Sequence, residues 1–346
     1  MGPATMRRLF TRWPDPLAAV AAVRSQRAAD TIRESRPDAT DLVRHWSACL
    51  ATINVGVMLR ARATHVYVAG NDDYPIEVEL PDRPAVMFAE GARPDAFDRP
   101  RVAVVGTRAA TPHGLADAYE LGGVLAGAGV TVVSGLAIGI DGAAHQGALD
   151  AGGNAIGVLA TGLDVIYPRR HGQLHERVRG QGMLVSEYPF GTGPHPSRFP
   201  VRNRIIAGLA DVVVVVEATA KGGAQITAGY AIDYSRDLCV YPGSRRNPSA
   251  RGTNELLRHA QVVVDPDDVL GVLGLTPGER RAPQHAGPTG STPEEHAVIR
   301  ALGGEPATVD DLTSRTGFDP GRVAVAVAGL VRAGKIRRAN GLLWPM

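Results

Sequence analysis

The chain of 346 residues is about twice the length of an ordinary domain, 44% hydrophobic and 21% charged, which excludes disorder throughout and fits one large folded domain with smaller attachments. Its 37 basic and 35 acidic residues leave a net charge of +2, so a polyanionic or membrane partner must be read from local clusters, not from the sum. Two cysteines, Cys49 and Cys239, exclude a disulfide framework and a four-cysteine zinc site.

Neither the N-terminal stretch nor the longest aliphatic run, Val212 to Val216, has the length of a signal peptide or a bilayer span. The expectation is a cytoplasmic protein with reduced cysteines and no membrane insertion. Aromatics are scarce at 5%, against 41 glycines and 25 prolines, so the core must be built from Ala, Val, Leu and Ile with many turns between elements. That favours an α/β layer structure.

Helical spacing comes first along the chain: Leu9, Phe10, Trp13, Leu17, Val20 and Val23, then Leu42, Val43, Trp46, Leu50 and Ile53. It predicts a small helical domain over residues 1–64. From Thr64 the period shortens through HVYVAG, PAVMFAEG and RVAVVG, and after Arg101 apolar strands alternate with helical segments as far as LCVYPG. Such alternation predicts a doubly wound, Rossmann-like α/β core over 65–275, its sheet mostly parallel and covered on both faces.

The Pro/Gly-rich stretch around 276–290 reads as a linker. Over 291–346, helical segments at 293–302, 309–316 and 320–333 precede a hairpin centred on Asn340-Gly341, which is the order of a winged helix. Arg322, Arg332, Lys335, Arg337 and Arg338 give this module a basic face, a pattern that serves duplex DNA or protein contacts.

Ligands of open parallel sheets bind outside the carboxyl ends of the strands, so strand ends are where site residues are sought. The first ends in Gly106, where a bare backbone can approach a phosphate, with Arg108 beside it. From local spacing alone, a plain turn and a phosphate turn stand level. The fingerprint G-x-G-x-x-G is absent and the next strand ends in Ser134 instead of an acid, which disfavours NAD; no phosphate-loop motif occurs either. No cofactor is expected.

Ser134-Gly135 makes a second notch of small residues. Asp141 and His145, one turn apart, are read as a structural pair because no nucleophile accompanies them. His171 and His175 lack the order and third ligand of a metal site and are read as solvated helix-face histidines.

The segment SEYPFGTGPHPSRFPVRNR brings Arg198, Arg202 and Arg204 together with no acid among them, interleaved with Tyr188, Phe190 and Phe199. Cations beside rings suit single-stranded nucleic acid, which needs charge for its phosphates and flat faces for its bases. A solvated arginine loop is the competing reading. Asn203 between two arginines can bond phosphate, sugar or base, and Lys221-Gly222 follows the strand VVVVVEA at the same edge.

Taken in order, VAVVGTR, SGLAIGIDGAAHQGAL, GNAIGVLATGLDVIYPRRH, GMLVSEYPFG, FPVRNRIIAGLADVVVVVEA and VYPGSRRNPSARGTNELL resemble the DNA-processing protein A family, DprA/Smf, over about residues 65 to 270. The resemblance implies a non-catalytic protein that binds and protects incoming single-stranded DNA in natural transformation and loads the RecA recombinase onto it. It also implies a homodimer formed through the Rossmann-like core and a front domain of the SAM or helix-hairpin-helix kind.

Carried onto matching positions, the family's contacts fall on Gly106, Arg108, Arg202, Asn203, Arg204 and Lys221; Ser134, Gly135, Arg198 and Gly222 come from the residue reading alone. Two departures, Ile138 and Gly222-Gly223-Ala224, stand where relatives place a basic residue and a serine-containing turn. Two alternatives remain. One is a nucleotide N-glycosidase of the lysine-decarboxylase-like type, of whose P-G-G-x-G-T-x-x-E segment only fragments are present, with Glu255 displaced. The other is a winged-helix regulator with a nucleotide-sensing core.

Overall fold

Strands that are apolar on both faces are stable only inside a sheet covered twice, and the computed structural model of this chain places them there. It describes residues 3–35, 43–44, 46–48, 64–76, 82–275, 293–303, 307–332, 335–339 and 342–345. Cys49, the 276–290 linker and the Asn340-Gly341 turn lie outside them.

Three helices open the chain, α1 (Pro3–Arg12), α2 (Pro16–Arg24) and α3 (Ala29–Ser35). They close over Leu9, Ala22, Val23, Ala28, Ile32 and Val43. Helix α2 starts sharply because the Asp15 carboxylate accepts a hydrogen bond from the Ala18 amide at 2.8 Å and Pro16 fills the first helical position.

The core then runs β1 (His65–Val68), β2 (Val86–Gly91), β3 (Arg101–Val105), α4 (Pro112–Gly127), β4 (Thr131–Ser134), α5 (Ile140–Asp150), β5 (Ala155–Leu159), α6 (Gly172–Gln181) and β6 (Met183–Ser186). It continues through α7 (Arg198–Leu209), β7 (Val212–Val215), α8 (Gly223–Asp233), β8 (Asp237–Val240), α9 (Arg251–Leu256), β9 (Gln261–Val262) and α10 (Pro266–Val272). Strand order in the sheet is β1-β2-β6-β5-β4-β3-β7-β8-β9. β1 and β2 pair antiparallel at one edge, and every pair from β6 to β9 is parallel. From β3 the chain winds first towards β6 and then, through β7, the other way; the doubly wound reading is correct.

Side-chain alternation splits the core in two. Val105, Val133, Ile156, Val158 and Val213 face α7 and α8 through Ile205, Ile206, Leu209 and Ala228. Val102, Val104, Val132, Val212 and Val214 face α4 and α5 through Leu121, Leu125, Ile140 and Ala144. The α4 and α5 backbones touch at Gly122 and Gly147, where a Cβ would stand 2.2 Å from the Ala144 carbonyl oxygen and 1.9 Å from that of Tyr119.

By contact the chain divides into two compact units, Met1–Pro283 and Gln284–Met346. In the second, α11 (Pro293–Leu302), α12 (Val309–Thr316) and α13 (Pro320–Arg332) surround Val298, Leu312, Val323 and Leu330. Strands β10 (Ile336–Ala339) and β11 (Leu342–Pro345) pair antiparallel, and Ala307 bridges to Leu343. This is the helix–helix–helix–wing order. Among the described residues no helix is long and apolar enough to cross a membrane.

Candidate nucleic-acid interface

Winding reverses between β3 and β7, and the crevice outside their carboxyl ends is where such a fold receives a ligand. The β3 turn is held from beneath. A Cβ on Gly106 would stand 2.4 Å from Ile140 Cγ1 and 2.8 Å from the Glu217 carbonyl oxygen, so only glycine fits. The Thr107 amide donates to that carbonyl at 2.7 Å, and the Thr111 amide to the Glu217 carboxylate at 2.8 Å. Between these anchors Arg108 is exposed, its guanidinium 5.1 Å from the centre of the Phe199 ring.

Phe199 in turn packs against Tyr167 with ring centres 5.2 Å apart, and Arg198 lies 5.2 Å from the centre of the Tyr188 ring. Arg169 and Arg170 follow Tyr167 after Pro168, both exposed. Lys221 and Gly222 are exposed after β7, and Gly222 heads α8 with no side chain capping its free amides. Gly106, Arg108, Arg198, Lys221 and Gly222 therefore share one rim of the sheet. Its opposite, amino-terminal edge carries a recess of mixed charge, lined by Asp98, Asp211 and Asp237 together with Arg99 and Arg101.

The remaining predicted contacts, Ser134, Gly135, Arg202, Asn203 and Arg204, lie buried beneath that rim, and this corrects their reading as exposed contacts. Helix α7 begins at Arg198, four residues before Arg202, because Pro200 falls in the first turn where no amide bond is needed. That draws Arg202, Asn203 and Arg204 into a helix enclosed by the core, where they are 4%, 8% and 4% exposed.

Arg202 donates to the Gly135 carbonyl at 2.9 Å and to the Val158 carbonyl. Burial lowers its pKa to about 10, which leaves it charged at neutral pH. Asn203 donates to the Gly223 carbonyl at 3.0 Å. Arg204 makes a two-pronged ion pair with Glu187 at 3.0 and 2.8 Å and meets Asp82 at 3.1 Å, so its charge is neutralised inside the protein.

The second notch is closed as well. Ser134 is fully buried and its hydroxyl donates to the Val104 carbonyl at 2.6 Å. Gly135 is glycine because a Cβ would stand 2.4 Å from the Arg202 guanidinium. Asp141 accepts from the Gly135 amide at 3.1 Å; burial pushes its carboxyl pKa up against the pull of Arg202. His145 is fully buried with Nε2 3.2 Å from the Ile156 carbonyl oxygen, and burial lowers its pKa to about 4.

Of the two histidines read as solvated, His175 is buried and His171 half-buried. His175 is 1% exposed on the sheet-facing side of α6, beside Val178, and His171 Nδ1 lies 3.1 Å from the Leu136 carbonyl oxygen. Among the described residues no cluster fit to hold a metal occurs. Sequence reading missed Tyr167, Arg169 and Arg170. Their signal, YPRRH with no acid inside it, was present, but only the fold carries it to the β3 side of the rim.

Two family models divide the chain between them: the DNA recombination-mediator protein A model matches residues 65–274, and the DprA winged helix domain model matches 280–341. The chain belongs to the DprA/Smf family. It is 34% identical over 306 residues to Protein Smf of Synechocystis, covering 78% of this chain and 77% of that one. It is 40% identical over 263 residues to the putative DNA processing protein DprA of Mycobacterium tuberculosis, covering 75% and 68%.

Among solved structures, DprA of Streptococcus pneumoniae superposes with a TM-score of 0.59 at 34% identity, over 66% of this chain and 81% of that one. The Helicobacter pylori DprA structure, described for its single-stranded DNA binding mode, gives a TM-score of 0.54 at 31% identity, over 60% and 95%.

Proposed function

We propose that this family member binds single-stranded DNA along the carboxyl rim of its sheet and presents it to the RecA recombinase, without catalysing a reaction. The observation that carries this reading is the cation and ring set Arg108–Phe199–Tyr167, in which Arg108 and Tyr167 are exposed and Phe199 half-buried, with half-buried Arg198–Tyr188 beside it, at the point where the winding reverses. Flat rings receive unpaired bases at roughly 1–3 kcal/mol each, and arginines beside them receive phosphates. The Helicobacter pylori relative's described binding of single strands supports the same assignment.

A binding role also fits what the buried polar groups do. Asp141, His145 and Glu217 bond to backbone or loop groups of their own chain, and Glu255 pairs with exposed Arg251. Exposed Ile232, Val262 and Val264 near the β9 edge support a homodimer formed through the core. A cytoplasmic place follows from a RecA partner.

The test is a titration of single-stranded and duplex oligonucleotides of unrelated sequence at several salt concentrations, with wild type and Arg108→Ala. Single strands should bind more tightly, and the variant should lose affinity equally for all sequences. Its slope of log affinity against log salt should shrink by about 0.7, the value of one phosphate contact on a single strand. Tighter duplex binding, or an unchanged slope, would sink the proposal.

A further inference from the structure

The loop after β8 leaves the sheet at the same edge as the β3 and β7 turns, since β8 pairs parallel with β7 and β7 with β3. Sequence SRRNPSAR holds Arg245 and Arg246, both exposed. Among the described residues neither guanidinium meets a carboxylate, whereas the neighbouring Arg251 is answered by Glu255 at 3.3 Å.

This loop is built to hold a shape. Asn254 bonds both the amide and the carbonyl of Gly243, at 3.1 and 2.9 Å. The Asn247 amide donates to the Ser244 carbonyl at 2.9 Å, and its side-chain oxygen accepts from the Ser249 amide at 3.0 Å.

The same Asn247 reaches across to the switch point. Its side-chain nitrogen donates to the Glu217 carboxylate at 3.3 Å, while the other oxygen of that carboxylate accepts from the Thr111 amide at 2.8 Å and the Thr111 hydroxyl at 3.2 Å. Glu217 is 4% exposed, and the bonds it accepts come from the two loops that carry Arg108 and Arg245-Arg246. A buried carboxylate costs stability unless such donors satisfy it. Here they also tie the two cationic loops to each other.

We propose that Arg245 and Arg246 form a second phosphate-binding element for the DNA single strand, beyond Lys221 from Arg108, and that Glu217 is the positioning residue keeping the two loops in register. The inference rests on the single-strand reading above and extends its track. Strands pack about 4.8 Å apart, so the cations at the ends of β5, β3, β7 and β8, with β4 between the first two, span roughly 19 Å. A strand crossing them in that order meets Arg169 and Arg170, then Arg108, Lys221, and finally Arg245 and Arg246.

The test measures salt slopes for oligodeoxythymidylate binding to the full chain in four variants. Arg245→Ala/Arg246→Ala should melt like wild type, because both side chains are exposed, and should lower the slope by about 1.4, two phosphate contacts at about 0.7 each. Glu217→Gln puts a donor where the carboxylate accepts, so it should lower the slope although every cation remains; a merely structural role would lower the melting temperature and leave the slope.

Arg258→Ala, at the amino-terminal edge beside Arg236 and Asp237, should change nothing. A slope unchanged in the double variant but reduced in Arg108→Ala overturns the second element and leaves the single-strand reading standing. A slope unchanged in Arg108→Ala overturns that reading itself, and an equal loss in Arg258→Ala shows that only overall charge matters and overturns the extension.

Discussion

Replacing Arg204 with alanine separates a phosphate contact from an internal brace. The guanidinium holds Glu187 through two parallel bonds at 3.0 and 2.8 Å, with side-chain exposures of 4% and 11%, and accepts help from half-exposed Asp82. Removing one partner of a buried pair costs about 3–5 kcal/mol, because the survivor keeps its charge without an answer. Glu187 retains some contact with solvent, which places this case near 3 kcal/mol.

For a folded unit of this size each kcal/mol moves the melting temperature by about 2–4 °C, so Arg204→Ala should melt roughly 6–12 °C lower. Arg204→Met with Glu187→Leu should recover most of that loss, since a matched apolar pair avoids the desolvation of both ions. Calorimetry gives the melting temperatures and a salt titration with oligodeoxythymidylate gives the phosphate count. If Arg204→Ala melts like wild type and its salt slope falls by about 0.7, Arg204 is a DNA contact and the bracing account is refuted.

Two further outcomes follow from the buried layer beneath the rim. Gly135→Ala sets a Cβ 2.4 Å from an Arg202 guanidinium that has no room to swing away, and should cost about 1–3 kcal/mol in denaturant unfolding; a stability equal to wild type would show that Arg202 yields freely. Burial holds the His145 pKa at about 4 against an ordinary 6.5, so the unfolded chain takes up its proton first as the solution is acidified. Its contribution to stability is complete above pH 6.5 and is lost as pH falls towards about 4. Comparing wild type with His145→Gln across that range isolates it from Asp141, whose raised pKa acts in the opposite sense, and parallel curves would refute it.

What could be read from the residues, and what could not, divides along a physical line. The strands were legible because runs such as VVVVV have no stable place except a sheet covered on both faces, and the strand ends were legible because glycine interrupts those runs. Arg108 and Lys221 follow such ends directly and stand on the rim. Arg202, Asn203 and Arg204 carry the same kind of composition, yet their exposure is decided by how deep α7 sits, which depends on Pro200 starting the helix early and on Glu187, fifteen or more residues away, being there to answer a charge. A cluster of arginines marks a place where anions are held, but whether the anion is a phosphate outside or a carboxylate inside is settled by tertiary packing. The sequence RVAVVG…VVVVVEA shows the same limit from the other side. Glu217 has the look of one more acid at a strand end, and only the fold brings Thr111 and Asn247 to it from opposite flanks of the switch point.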